Sequence, residues 1–514
     1  MKFKTRLESL AIITLILSVL CVNAQQPAIP NKRLNFDQAL ELTRNNSHII
    51  KQVNFSQKEK EQDVKAAKNL YLPKVGITAS YVAMSDNLHL DLNPIKSSIT
   101  PLYQALGNFG NFSGVPNPDP ATKQVMPILP DNLSTKAVRS QLLGGLETIE
   151  AANWDQMIQK KNFGSVFADF NWPIYAGGKI RLANKVAEIH KTEADQVTSQ
   201  KEGELMSELA ERYFGLCLAQ QAVLVRTDVF NGVENHLNDA VKMEKEGLIA
   251  KAEMLHAKVS EAQAQRELSK AKRTADVLNT SLLNTLALSE EIILEPETDL
   301  FYLDSIETVN YFKTLARQNN PLLMQVNSKK LLADQGYKAE RAEYYPVIAF
   351  EGMYDLANKD LSHYMPDWTV GVGLRWTLFD GSTRYRKVKA AALKKEEVNE
   401  IGNKALSDVE TMIEKLYHEL NMYKEQLAEL ESANVFAEEY LRVREKAFHE
   451  EMSNSTEVVD ARLALAQVKI ERLQAMYGFD VTLARILQYA GIPNEFPAYQ
   501  KRMGVKTEKY KLTK

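Results

Sequence analysis

Cysteine is nearly absent from this 514-residue chain: only Cys21 and Cys217 occur. Cys21 falls in an N-terminal apolar stretch that reads as a cleaved segment. Cys217 is then left alone, which excludes an intrachain disulfide framework, and a lone Cys of this kind reads as a small buried apolar residue. Apolar runs of 18 or more residues are missing after the N-terminus, so no later helix is expected to span a membrane. Charge of one sign is missing too. The 63 basic and 66 acidic residues give −3, which argues against nucleic-acid binding. Catalytic motifs are equally scarce. The eight histidines are scattered without metal-ligand spacing, and "HEEMS" at His449 is not a zinc-protease motif. "AGGKI" at Ala176 lacks the Ser or Thr of a phosphate loop. "GVGLRW" at Gly371 lacks the third glycine of a dinucleotide fingerprint. No GxSxG occurs. No catalytic constellation, metal site or cofactor is expected.

The N-terminus, "MKFKTRLESLAIITLILSVLCVNAQQ", has a basic region (Lys2, Lys4, Arg6), an apolar core from about Leu10 to Val22, and small residues at Val22 and Ala24. It reads as a signal peptide, residues 1–24, cut before Gln25. The alternatives are a membrane anchor, for which the core is short, and a lipoprotein at Cys21, which Leu20 disfavours. Removing a segment of net +2 leaves 490 residues with a net charge of −5. A mature protein without spanning helices can enter a membrane only as a closed β-barrel.

An internal likeness organises the rest. "NWPIYAGGKIRLANK" (Asn171 to Lys185) returns 204 residues later as "RWTLFDGSTRYRKVK" (Arg375 to Lys389). "YLPKVGITASY" (Tyr71 to Tyr81) resembles "YYPVIAFEGMY" (Tyr344 to Tyr354), and "ELTRNNSHI" resembles "TLARQNNPLL", with Asn45 and Asn46 set over Asn319 and Asn320. A period this long means two repeated halves, here 25–300 and 301–495, followed by a basic tail, 496–514. Each half reads as helix, Pro, strand, connection, strand, Gly, very long helix, turn, helix.

The strands alternate. Val75, Ile77, Ala79 and Tyr81 share one face, and Lys74, Gly76, Thr78 and Ser80 the other. Val166 to Ile174 and Val370 to Leu378 alternate likewise, with Asp169, Asn171 and Arg375 opposite. About ten residues long, apolar on one face and aromatic near the ends, these strands match a transmembrane barrel. A soluble sheet with one buried face is the alternative. Lys179 to Glu246 and Thr383 to Glu450 contain no proline. If helical throughout, each would run roughly 100 Å, a length coiled coils use. Gly247 stops the first of these helices; Ser453 and Asn454 supply the turn and cap after the second. The connection 86–162 holds seven of the 17 prolines and reads as a long extracellular loop. Its counterpart is only about 356–366.

In order and duplication these motifs resemble the TolC family of outer-membrane efflux proteins, over about Leu34 to Pro493. The resemblance implies a mixed α+β membrane protein, a homotrimer. Each chain would give four strands to a shared 12-stranded transmembrane β-barrel, continued as a periplasmic α-helical coiled-coil barrel. It implies passive conduction from periplasm to exterior, in tripartite efflux or type I secretion. The partners would be an inner-membrane transporter, a periplasmic adaptor (membrane fusion protein) and outer-membrane lipid. Trp172 and Trp376 would sit at the membrane interface. Gly247, Leu248, Ser453 and Asn454 would form the hairpin ends that meet the adaptor. Glu457 and Asp460, at i and i+3 on one helix face, would be the pore gate and selectivity carboxylates. Their first-half counterparts are Glu253 and His256. The sequence departs from the family pattern at Glu451, where Gly is usual, and at Ser453, where Arg can close the gate. The gate alternative is a pair of solvated carboxylates. The whole-protein alternative is a trimeric, barrel-anchored adhesin or structural coiled coil without transport.

Overall fold

Alternation, proline stops and unbroken helical periodicity each find their element in the computed structural model, which describes residues 31–109, 133–288, 292–450 and 452–510. The signal segment with its cleavage site and Cys21, the prolines from Pro116 to Pro130, and Glu451 lie outside those residues. In chain order the elements are β1 (Asn31–Leu34), α1 (Phe36–Asn46), α2 (His48–Lys68), β2 (Lys74–Ala83), β3 (Leu88–Asp91), α3 (Asn93–Phe109), α4 (Leu133–Ala151), β4 (Asp155–Gln159) and β5 (Asn162–Ala176). Next come α5 (Lys179–Lys245), α6 (Lys251–Thr285), β6 (Ile293–Pro296), β7 (Leu300–Leu303), α7 (Val309–Asn319), α8 (Pro321–Ala342) and β8 (Val347–Lys359). Last are β9 (Trp368–Arg375), α9 (Thr383–His449), α10 (Ser455–Tyr489), α11 (Phe496–Gln500) and β10 (Val505–Glu508).

Element bounds repeat at fixed intervals. Helices α5 and α6 reappear 204 residues later, at both ends, as α9 and α10. Before the first connection the interval is 273: α1 maps onto α7 and the start of β2 onto the start of β8. This register sets Asn46 over Asn319, one residue away from the Asn-Asn alignment expected from sequence. The reason is the junction residue. Ser47 and Asn320 both follow the shorter helix, and each side chain accepts a backbone N–H from the next one, Ser47 Oγ from Ile50 and Asn320 Oδ1 from Leu322 and Leu323.

The chain forms two compact units, each drawing on both halves. The first (Met1–Ala67, Leu182–Arg341, Tyr385–Lys514) is mainly helical. Its core is aromatic: Phe36, Tyr213, Phe214, Phe301 and Phe496 are all at most 1% exposed. Their rings pack at centroid distances of 5.2–6.1 Å, and fully burying a Phe contributes about 1.5–3 kcal/mol. Two short sheets enclose this core. β1 pairs with β6 in parallel and β7 with β10 antiparallel. Four-residue strands with distant partners leave little trace in sequence, and none was expected. The boundary at 300/301 consequently falls inside β7. The C-terminal residues expected as a basic tail include α11 and β10, and Tyr510 donates to Asp228 Oδ2 at 2.7 Å.

The second unit (Lys68–Arg181, Ala342–Arg384) holds a four-stranded antiparallel sheet in the order β2-β5-β8-β9. The connection 86–162 is not one irregular loop. It contains α3, α4 and the pair β3–β4. Prolines misled the reading here: Pro101 lies inside α3, and close packing sustains the helices. A Cβ at Gly107 would sit 2.9 Å from Leu143, and one at Gly145 3.2 Å from Tyr103. The second connection is tighter than expected, because β8 runs on to Lys359.

Candidate functional site

Two places carry the functional geometry. The first is the sheet. Paired residues share a face, and register makes one face continuous: Val75 pairs with Phe170 and Ile77 with Ala168. Trp172 continues to Phe350, and Phe350 to Val372. This face is bare, with Val75 73% and Val372 64% exposed. The opposite face is a ladder of polar partners. Thr78 Oγ1 donates to Asp169 Oδ1 at 2.9 Å. The Ser80 and Ser165 hydroxyls are 2.9 Å apart. Asn171 Nδ2 donates to Glu351 Oε1 at 3.1 Å. Sheets of soluble proteins bury their apolar face, whereas transmembrane barrels expose it to lipid.

Each strand-to-helix elbow places a Trp. Trp172 Nε1 donates to the Tyr71 carbonyl at 2.9 Å, and Trp376 Nε1 to the Tyr344 carbonyl at 3.0 Å. Both rings remain about half exposed, an amphipathic setting suited to a membrane interface. The turns that follow need left-handed backbone: φ is +62° at Gly177 and +65° at Gly381. A Cβ at Gly177 would sit 2.9 Å from the Ala342 carbonyl oxygen, so glycine is demanded there by both conformation and space.

The second place is the pair of hairpin turns in the helical unit. Gly247, at φ +77°, closes a Schellman motif: Leu248 N–H donates to the Met243 carbonyl at 2.8 Å and Gly247 N–H to Glu244 at 3.0 Å. In the second hairpin Met452 N–H donates to the Ala447 carbonyl at 2.8 Å. Met452 is therefore the counterpart of Leu248, and both are exposed. Sequence reasoning named Ser453 and Asn454 instead, although the 204-residue interval pointed to Met452. Asn454 is the N-cap of α10, its Oδ1 accepting Glu457 N–H at 2.9 Å. Ser453 Oγ donates to Glu457 Oε2 at 2.6 Å.

Glu457 and Asp460 have different surroundings. Arg444, on α9, pairs with Glu457 Oε2 at 2.8 Å. Asp460 is exposed, with no ion-pair partner among the described residues. Arg444 was missed because it lies 13 residues before Glu457, across a turn, where no periodicity connects them. The first hairpin holds this turn in place. Ser455, fully buried, donates its backbone N–H to Glu253 Oε2 at 3.0 Å. Its Oγ lies 2.7 Å from His236 Nε2. Burial first, and then the Arg462 guanidinium, push His236 down to about 4, so the imidazole is neutral at neutral pH. Arg462 itself pairs with Glu445. His256, expected as a gate counterpart, has a buried Nδ1 without a hydrogen-bond partner.

Among the described residues, no His, Cys, Asp and Glu cluster could hold a metal ion, and no helix is long and apolar enough to cross a membrane.

Residues 314–492, most of the second half, match the family model described as outer membrane efflux protein. The chain carries an outer membrane efflux protein domain. Solved structures extend the likeness to almost the whole length. The outer membrane protein VceC of Vibrio cholerae is 13% identical, with a TM-score of 0.63 over 88% of this chain and 96% of that one. The outer membrane channel CmeC of Campylobacter jejuni is 11% identical, with a TM-score of 0.64 over 89% and 86%. The open state of the Neisseria gonorrhoeae MtrE channel is 11% identical, with a TM-score of 0.64 over 89% of each chain. At these identities the likeness is one of fold, and the fold is that of the TolC-family channels. No curated protein sequence matches the chain. Nothing in the matches supports the alternative of an anchored adhesin.

Proposed function

We propose that the protein is the outer-membrane conduit of a tripartite export system, efflux or type I secretion. It conducts solutes passively from periplasm to exterior, with energy supplied by an inner-membrane transporter through a periplasmic adaptor. The observation that carries this reading is the open sheet. Four strands alternate in direction, so the free edges β2 and β9 are antiparallel-compatible and copies can add head to tail. Four strands are too few to close a barrel, and the smallest bacterial barrels have about eight. Three copies give twelve, the number the family resemblance implies. The bare apolar face then meets lipid, and the Asp169, Asn171 and Glu351 ladder lines the lumen. The matched halves follow from an internal duplication, and a signal peptide cut after Ala24 delivers the chain to the periplasm.

Within this reading Leu248 and Met452 present apolar side chains to the adaptor beside Gly247, Ser453 and Asn454. Asp460 supplies the free carboxylate ring, while Glu457 is held by Arg444. The deciding experiment is conductance in planar bilayers together with mass by light scattering. Cation-preferring channels from a trimer are expected. A particle that inserts without conducting, or a monomer, would overturn the proposal.

A further inference from the structure

Among the described residues the strand β3 pairs with one strand, β4. β4 covers one edge, and all four residues of β3 are exposed, Leu88 by 54% and Leu90 by 47%. An apolar edge of this kind is a liability that proteins normally cover. Its place in the sheet shows which edge is open. β3–β4 continues the β2–β5 ribbon: Met84 N–H donates to the Lys161 carbonyl at 2.7 Å, and Lys161 N–H to Asn87 Oδ1 at 2.8 Å. β4 lies on the inner side, against the β8–β9 turn. Gln159 Nε2 donates to the Asp360 carbonyl at 2.8 Å, Ser362 N–H donates to Gln159 Oε1 at 2.7 Å, and Lys160 pairs with Asp360 at 2.5 Å. The free edge of β3 therefore prolongs the free edge of β2.

The opposite side of the same sheet offers a match. The β8–β9 turn and the start of β9 expose Tyr364 by 72%, Met365 by 49% and Trp368 by 62%. Both apolar groups lie at the same end of the sheet, since β2 runs toward that end and β9 starts from it. Head-to-tail closure that sets β9 of one copy beside β2 of the next brings these groups together.

We propose that the occupant of the β3 edge is a second copy of this chain: the Tyr364–Met365 turn of one subunit seats on Leu88 and Leu90 of its neighbour. The contact forms a clasp on the outer side of the barrel, beyond the strand seam. It rests on the closed-barrel reading, and the test separates the two.

Full-length chains carrying Leu88→Cys or Leu90→Cys together with Tyr364→Cys or Met365→Cys are oxidised in isolated outer membranes. Cys217 is buried and serves as a silent background. Disulfide-linked dimers and trimers are expected from at least one double variant and none from the single ones, because the bond needs Cα atoms within about 7 Å. A seam control pairs Thr78→Cys with cysteines at Thr369, Gly371 and Gly373. Seam cross-links without clasp cross-links overturn the clasp and leave the conduit reading standing. Absence of both, with a monomeric mass, overturns both. In a second arm, Tyr364→Ser with Met365→Ser should lower trimer recovery near the urea midpoint by about tenfold or more. The folded subunit should be unaffected, because both side chains are exposed in it. Unchanged recovery refutes the clasp.

Discussion

Arg444→Ala is the sharpest perturbation of the proposed gate. Arg444 and Glu457 are each about one-third exposed and lie 2.8 Å apart. Such a pair adds at most about 1 kcal/mol to stability, so the variant should fold and assemble. What changes is charge. Glu457 loses its cation and keeps only the Ser453 hydroxyl, and the proposed trimer would gain three unpaired carboxylates near its axis. A unit charge about 10 Å away acts with roughly 0.4 kcal/mol in water, and three with about 1.2 kcal/mol. Salt at 0.1 M, with a Debye length of about 10 Å, cuts this to roughly 0.4 kcal/mol. The local concentration of a monovalent cation should then rise about twofold, and at low salt several-fold. Reversal potential across a potassium chloride gradient reads this directly, with Arg444→Lys as the charge-preserving control. A potential unchanged at both low and high salt, from a trimer of normal stability, would refute the reasoning and leave Glu457 away from the conduction path.

Further outcomes are expected. Tyr213 is fully buried, its hydroxyl donating to the Leu34 carbonyl at 2.7 Å and accepting Thr298 N–H at 3.1 Å; Tyr213→Phe should cost about 1–3 kcal/mol in denaturant unfolding. Asp480 is wholly buried, with Oδ2 accepting Phe301 N–H at 3.3 Å and Oδ1 unpartnered, and burial pushes its carboxyl well above the usual range. The folded state holds that proton where the unfolded chain has released it, so stability falls as pH rises above the ordinary carboxylate value. Asp480→Asn should flatten the fall, seen as a smaller drop in melting temperature between pH 5 and 8. His236 has the opposite sign of dependence on acid. Its folded state stays neutral down to about 4, so its contribution is lost as pH drops from about 6.5 toward 4. Hydrogen exchange at the second turn should increase over that window, and His236→Gln should remove the increase. Leu248→Ser with Met452→Ser should abolish export in cells while leaving single-channel conductance unchanged.

Local signals in the sequence located the elements well. Pro73 and Pro346 end helical periodicity, and the strands begin one residue later at Lys74 and Val347. Gly247 marked the first turn through its left-handed backbone. Alternation gave the faces of β2, β5, β8 and β9, since register follows from period two wherever one face is apolar. The misses share a physical cause, which is stabilisation by partners far away in sequence. β1 finds β6 across some 260 residues, and four residues carry too little pattern to announce it. Helices α3 and α4 survive Pro101 because each supplies the other with a packing surface.

The proposed gate shows the limit of comparing halves. Aligning Glu253 and His256 with Glu457 and Asp460 treats the hairpins as alternatives, one active and one decayed. The contacts make them complementary. Glu253 accepts the Ser455 backbone N–H, and His236 holds the Ser455 hydroxyl, so the first hairpin positions the turn from which Glu457 and Asp460 project. A carboxylate at the start of a helix is stabilised by the unpaired N–H groups there, and Glu253, itself in the first turn of α6, turns its side chain to that place on α10. Its charge is thereby committed to the neighbouring turn. Duplication supplied two similar hairpins; the residues that differ between them fasten one to the other.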